Sequence, residues 1–148
     1  MTDTVIRPAS HDDLPGMLEL YRHLNPRDPP LDAATAAAAW STLIGSPGNT
    51  VFVADASGAL VAACTLSVIP NLTRGARPYA VIENVVTHAA HRRAGLGRAV
   101  LTAALNAAWD AGCYKVMLAS GRDEPTLRFY ETVGFKRGGK TFFEIRRQ

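Results

Sequence analysis

Residues 79 to 111 constrain the fold most. They run YAVIENVVT, then HAAHRRAGLG, then RAVLTAALNAAWDA. The first nine are β-prone and mostly apolar, which suits a strand buried between neighbours rather than an edge. The last part has Val100, Leu101, Ala104, Leu105 and Ala108 on one helical face. A buried strand that hands over to an amphipathic helix predicts a parallel β-α-β crossover, right-handed as such connections nearly always are. The closing strand of that unit is Tyr114 to Ala119.

The rest of the chain reads outward from this unit. Thr4 to Arg7 is a short strand, stopped at Pro8. A helix capped by Ser10 or Asp12 follows, with Leu14, Met17, Leu18 and Tyr21 on its inner face, and runs to about Leu24. Asn25 to Leu31 (NPRDPPL) is too proline-rich to be helical, and a second helix spans Asp32 to about Ile44 before Gly45. Thr50 to Ala54 and Leu60 to Ile69 form a hairpin about Ser57-Gly58, and Asn71 to Pro78 is a loop. A helix over Gly95 to Ala111, another over Thr126 to Val133 before Gly134, and a last strand over Thr141 to Arg146 complete the order β-α-α-β-β-β-α-β-α-β. That is an α/β fold on a mixed sheet, antiparallel in the first half and parallel in the second.

Composition narrows the function class. With 148 residues the chain fits one domain, taken as 1–148, and it is large enough to bury a core without a disulfide or metal. At 47% hydrophobic and 20% charged it is neither disordered nor coiled coil. No apolar run approaches the roughly 18 residues of a membrane span, and MTDTVIRPASHDD is not a secretory leader. A soluble cytoplasmic protein is expected. Cys64 and Cys113 lie in apolar segments and are expected to be buried free thiols. The net charge of +3, with 7% aromatics, is too weak a basic face for a nucleic-acid binder. No His, Cys and Asp cluster has ligand spacing, so no metal is expected.

Thirteen of the sixteen basic residues are arginine, which suits phosphate or carboxylate. Arg92, Arg93 and Arg98 bracket Gly95 and Gly97 where strand gives way to helix. Free N–H groups of a first helical turn and its partial positive charge bind phosphate there. Neither familiar phosphate loop fits. A P-loop needs Gly-Lys-Ser/Thr after four residues, and a dinucleotide fold places its glycines after the first strand.

The run Arg92-Arg93-Ala94-Gly95-Leu96-Gly97 instead resembles the R/Q-x-x-G-x-G/A motif of the GNAT superfamily of acetyl-CoA-dependent N-acetyltransferases. Ile82 to Thr87 is similar to that family's fourth strand, and Phe129-Tyr130-Glu131 with Gly134-Phe135 to its fourth helix and ending. Ile82-Glu83-Asn84-Val85-Val86 and Cys113-Tyr114-Lys115-Val116 resemble glucosamine-6-phosphate N-acetyltransferases, although Asn84 stands where those carry Asp.

The resemblance implies acetyl-CoA as co-substrate. Backbone groups of Val85, Val86 and Thr87 would meet its pantetheine arm, and Arg92, Arg93, Ala94, Gly95, Leu96, Gly97 and Arg98 would hold its pyrophosphate. Phe129 would line the cofactor site, and the Tyr130 hydroxyl would protonate the departing thiolate. Glu83, a charge within an apolar strand, is either the base that frees the incoming amine or half of a buried ion pair with an arginine. His88 near the mouth would share that task or contact substrate, or is simply exposed. Arg74 and Arg77 are candidate contacts for an anion on the acceptor. The expected acceptor is a small anionic amine, in a site formed by the first two helices, the 25–31 loop and the loop before the fourth strand. A protein lysine or N-terminal acetyltransferase and a non-catalytic acetyl-CoA sensor are the alternatives. Family habit implies a homodimer.

Overall fold

Ser57 and Gly58 both adopt positive φ (53° and 97°), so a two-residue turn of the hand that matches strand twist closes the hairpin. That turn joins β2 (Asn49–Ala56) to β3 (Ala59–Ile69), with Ala56 opposite Ala59. β1 (Thr4–Pro8) pairs antiparallel with β2, and β3 pairs antiparallel with β4 (Tyr79–Thr87). β5 (Val116–Met117) pairs parallel with β4 through Ala80 and Val81. The five strands lie in the order β1-β2-β3-β4-β5, the mixed sheet that the sequence implies. This computed structural model describes residues 3–147; Met1, Thr2 and Gln148 of the expected 1–148 domain lie outside. The chain divides into two compact units, residues 1–117 and 118–148.

In the first unit, helices cover both sheet faces. α1 (Leu14–Tyr21) follows a single 3-10 turn at His11–Asp13, and α2 (Ala33–Gly45) is capped by Asp32, whose carboxylate accepts the Thr35 N–H at 2.8 Å. Met17, Leu20 and Trp40 from these helices pack with Val51, Val53, Ala63 and Val86. Strand side chains alternate, so Cys64 faces the other way, and its Sγ donates to the Val100 carbonyl of α4 (Leu96–Asp110) at 3.4 Å. Val100, Leu101, Ala104 and Ala108 of the predicted stripe are buried on α4, and Leu105 is half-buried. Each large aliphatic buried this way contributes roughly 1.5–3 kcal/mol. Arg7 ties the helical layer to the sheet: it grips Asp13 through two 2.8 Å bonds and also reaches Asp55.

The second unit holds α5 (Glu124–Val133), begun by Asp123 accepting the Thr126 N–H and stopped at Gly134 with φ 120°. It starts two residues before the expected Thr126 because Asp123 is the cap and Pro125 fits the first turn. Arg137 pairs with Glu124 (3.0 Å) and Glu131 (3.3 Å).

Three expectations are corrected. Thr141 to Arg146 is not a strand, because among the described residues of the second unit α5 is the only regular element and offers no ladder to join. The expected strand Tyr114 to Ala119 shrinks to Val116–Met117: its partner β4 bends at a bulge three residues beyond the last pairing, and bulges disrupt ladders. The loop Asn71 to Pro78 contains a four-residue turn, α3 (Thr73–Ala76), whose Arg74 and Gly75 have left-handed dihedrals.

Candidate active site

The site grows from a defect in β4. Thr65 pairs with Glu83 and Ala63 with Val86, so β4 spends one more residue than β3 over this stretch. The extra residue is absorbed at Asn84, whose φ is 52°, and asparagine is among the few non-glycine residues that tolerate this region. Glu83 and Asn84 are exposed, Val85 and Thr87 half-buried, and Val86 is buried in the α1–α2 core. Pairing with β5 ends at Val81. Among the described residues of the first unit, 82–87 therefore have no strand on that side. Their backbone groups form an open edge that an extended ligand arm can join as an added strand.

β4 leads into a tight turn at Ala89–His91 and then the glycine loop. Arg92 Nε donates to the Thr87 carbonyl at 3.3 Å. Arg93 has φ 64°, and Gly95, with φ 78°, caps α4 without a side-chain bond. The first intrahelical bond here is from Ala99 N–H to the Gly95 carbonyl. The N–H groups of Leu96, Gly97 and Arg98 thus precede the ladder and are left for a ligand. The first turn holds no acidic side chain. Arg92, Arg93, Ala94, Gly95 and Arg98 are exposed, Leu96 and Gly97 half-buried. Among the described residues none of the three arginines is paired with a carboxylate. Free donors, a helix dipole and unneutralised guanidinium groups suit a pyrophosphate.

Beside the bulge lies a cavity of about 840 Å³. Its polar lining comes from Tyr21, Arg22, Asn25, Asp28 and Asn84, its apolar lining from Leu18, Leu24, Leu31 and three prolines. Two buried side-chain oxygens lack a hydrogen-bond partner, Tyr21 Oη and Thr65 Oγ1. Burial pushes the Tyr21 phenol pKa up, while the facing Thr65 hydroxyl pulls the other way without closing a bond. Sequence reasoning took Tyr21 for a core residue and passed over Arg22. Only the chain's return at the 25–31 loop reveals the wall they share.

The remaining candidates fall in several places. Glu83 is in no ion pair among the described residues, so the buried-pair alternative does not describe it. His88 Nδ1 accepts the Ala90 N–H at 3.1 Å. A neutral ring that accepts there carries its proton on Nε2, which makes that nitrogen a donor rather than a base. Arg74 and Arg77 do not line the cavity. With Lys115 they gather on the Tyr114 ring, 5.5–5.7 Å from its centroid. In the second unit, half-buried Phe129 and Tyr130 sit on α5, the Tyr130 ring edge-on to Phe129 and Phe135. Both cysteines are free and buried, and burial raises the Cys64 thiol to about 12 and the Cys113 thiol upward, so neither is a nucleophile. Among the described residues no group of three or more His, Cys, Asp or Glu is placed to hold a metal ion, and no helix is long and apolar enough to cross a membrane.

Comparison with known proteins bears on this geometry. The model of the Acetyltransferase (GNAT) family matches residues 15–135. A glucosamine 6-phosphate N-acetyltransferase of Trypanosoma brucei brucei is 35% identical over 139 residues, 92% of this chain and 93% of that one. A solved structure from Agrobacterium tumefaciens str. C58 is 51% identical, with a TM-score of 0.92 over 97% of this chain and 99% of that chain. A Trypanosoma brucei acetyltransferase structure is 32% identical, with a TM-score of 0.84 over 97% and 100%.

Proposed function

The chain belongs to the GNAT family of acetyltransferases, and on that premise we propose that it moves an acetyl group from acetyl-CoA to the primary amine of a small anionic molecule. An amino sugar phosphate or an amino acid derivative is the acceptor class. The observation that carries this is the open, bulged edge of β4 running into the Gly95-capped start of α4. The trypanosomal relative's name supports the amino sugar.

Acetyl-CoA supplies an activated thioester. In this reading the residue 92–98 loop holds the pyrophosphate and the backbone of Val85, Val86 and Thr87 aligns the arm. An N–H near Val86 polarises the carbonyl under attack. Exposed Glu83, neighbour of the cavity residue Asn84, accepts a proton from the ammonium directly or through water, since only the neutral amine is nucleophilic. The Tyr130 hydroxyl delivers a proton to sulfur, a role supported by the Phe129-Tyr130-Glu131 motif on α5. Arg22 offers the cavity an anion contact. Arg74 and Arg77, held with Lys115 on Tyr114 and unpaired with any carboxylate among the described residues, are a second proposed anion contact.

We place the reaction in the cytoplasm, where thiols such as Cys64 and Cys113 stay reduced. We take the two units as one catalytic domain, because the family model runs across both. A homodimer is supported by Phe142, Phe143 and Ile145, three large apolar side chains 66%, 87% and 98% exposed in a segment that pairs with no strand among the described residues.

The test is thermal melting with and without acetyl-CoA, followed by an amine panel led by glucosamine 6-phosphate and read by free thiol release. Ligand at about 100 times its Kd adds roughly 2.7 kcal/mol, a rise of several degrees. No rise at millimolar acetyl-CoA would refute the cofactor assignment, and binding without thiol release from any amine would refute turnover.

A further inference from the structure

Two histidines from distant parts of the sequence meet where β4 leaves the sheet. His23 lies two residues past the end of α1, and His88 opens the turn after β4. Their ring centroids are 4.0 Å apart, with 41° between planes. His23 Nδ1 accepts the Ala89 N–H at 3.3 Å and His88 Nδ1 accepts the Ala90 N–H at 3.1 Å. Two consecutive amides of one turn are therefore capped by two imidazole nitrogens. His91 closes the cluster edge-on at 5.3 Å from His88. These rings are not placed to share a metal ion.

The location gives the pair its consequence. On one side, the end of α1 supplies Tyr21, and Arg22 just after it, to the cavity wall. On the other, the 89–91 turn runs directly into Arg92 and the Gly95-capped start of α4. The loop itself has little else to hold it: besides the Arg92 bond to Thr87 and the Ala99 N–H bond to the Gly95 carbonyl, its residues 92–95 are exposed.

We propose that His23 and His88 are positioning residues, whose ring pair fixes the 89–91 turn and thereby sets the cofactor loop against the acceptor cavity. The inference rests on the acetyl-CoA reading of that loop. It carries a condition, because an imidazolium has no lone pair to accept an amide, and two cationic rings at 4.0 Å repel. The brace holds only while both rings are neutral. Around His88, desolvation comes first and the charges of His23, His91 and Arg92 act with it to lower its pKa from the ordinary 6.5, while Glu19 opposes them. A lowered pKa keeps the neutral form at pH 7, so the brace is present above 6.5 and is lost as the pH falls below it.

The experiment measures acetyl-CoA affinity of the full chain by calorimetry at pH 7.5 and 5.5, for wild type, His23→Ala and His23→Asn. In parallel, NMR follows the ring tautomers and the Ala89 and Ala90 amide exchange of the wild type. Asn places Oδ1 where Nδ1 was and cannot be protonated. Losing one such bond raises Kd about fivefold, so His23→Ala binds more weakly at pH 7.5 and His23→Asn restores affinity. Acid weakens wild type more than His23→Asn, a comparison that cancels protonation of the ligand's own phosphates. NMR shows both rings protonated on Nε2, with amide exchange quickening as the pH falls. Unchanged affinity in His23→Ala beside a normally binding wild type overturns the inference alone, as do Nδ1-protonated rings. A wild type that binds no acetyl-CoA at pH 7.5 while NMR finds the brace intact overturns the cofactor reading, and the loop-positioning claim with it.

Discussion

Replacing Asp13 by Asn removes the anion from the clamp that holds the start of α1. Asp13 accepts two 2.8 Å bonds from Arg7 and a 2.7 Å bond from the Ser10 N–H. Its side chain is 11% exposed. Arg7, whose own pKa rises, binds Asp55 as well, so one guanidinium joins β1, the 3-10 turn and the hairpin. The Arg7 guanidinium, then burial opposing it and the Ser10 amide assisting, brings the Asp13 carboxyl from the ordinary 3.8 down to about 2. A tenfold change in proton affinity is worth about 1.4 kcal/mol, so the anion contributes up to about 2 kcal/mol. Because Arg7 is 32% exposed, water screens part of this and the figure is a ceiling.

The sign follows from a depressed folded-state pKa. Stability from Asp13 is complete above the unfolded value of 3.8, falls as the pH drops toward about 2, and is gone below that. Urea unfolding of wild type and Asp13→Asn at pH 7, 5 and 3 checks it. The gap is about 1–2 kcal/mol at pH 7 and 5 and shrinks to about half at pH 3. A gap that stays constant with pH would show that Asn loses packing or capping rather than charge. A gap below about 0.3 kcal/mol at pH 7 would show that the clamp is solvated like an ordinary surface pair.

Two further outcomes follow from the proposed mechanism and assembly. Tyr130→Phe keeps acetyl-CoA affinity while lowering kcat roughly ten- to a thousandfold, within or just below the usual range for general acid help; unchanged turnover would move the acid elsewhere. Sedimentation velocity shows wild type as a dimer and Phe143→Asp as a monomer, since Phe143 is 87% exposed on the C-terminal segment; a monomeric wild type would refute the dimer.

How far the sequence carried the structure depends on the range of the forces involved. β4 occupies Tyr79–Thr87 as its β-rich, apolar run implies, and α4 buries Val100, Leu101, Ala104 and Ala108 of the five residues its period marks, with the fifth, Leu105, half-buried. The Ser57-Gly58 turn, the start of α2 at Asp32 and the stop at Gly134 were legible for the same reason: each is settled by a few neighbouring residues. The family motif is also local, so Gly95 at the mouth of α4 was legible too. Thr141 to Arg146 misled because alternation marks an ability to pair, while a strand exists only where a ladder is on offer.

What the chain determined by itself is therefore most of its elements, the last strand excepted, and the glycine loop between β4 and α4. Tertiary structure fixed the place of the bulge at Asn84, which is set by a mismatch of register against β3. It also decided the orphaned hydroxyls of Tyr21 and Thr65, the Arg7 clamp across 48 residues to Asp55, and the meeting of His23 with the turn 66 residues away. Local pattern follows from backbone sterics and side-chain period, which act within a turn or two. Contacts between residues so far apart depend on how whole elements pack, and no short window of sequence contains that information.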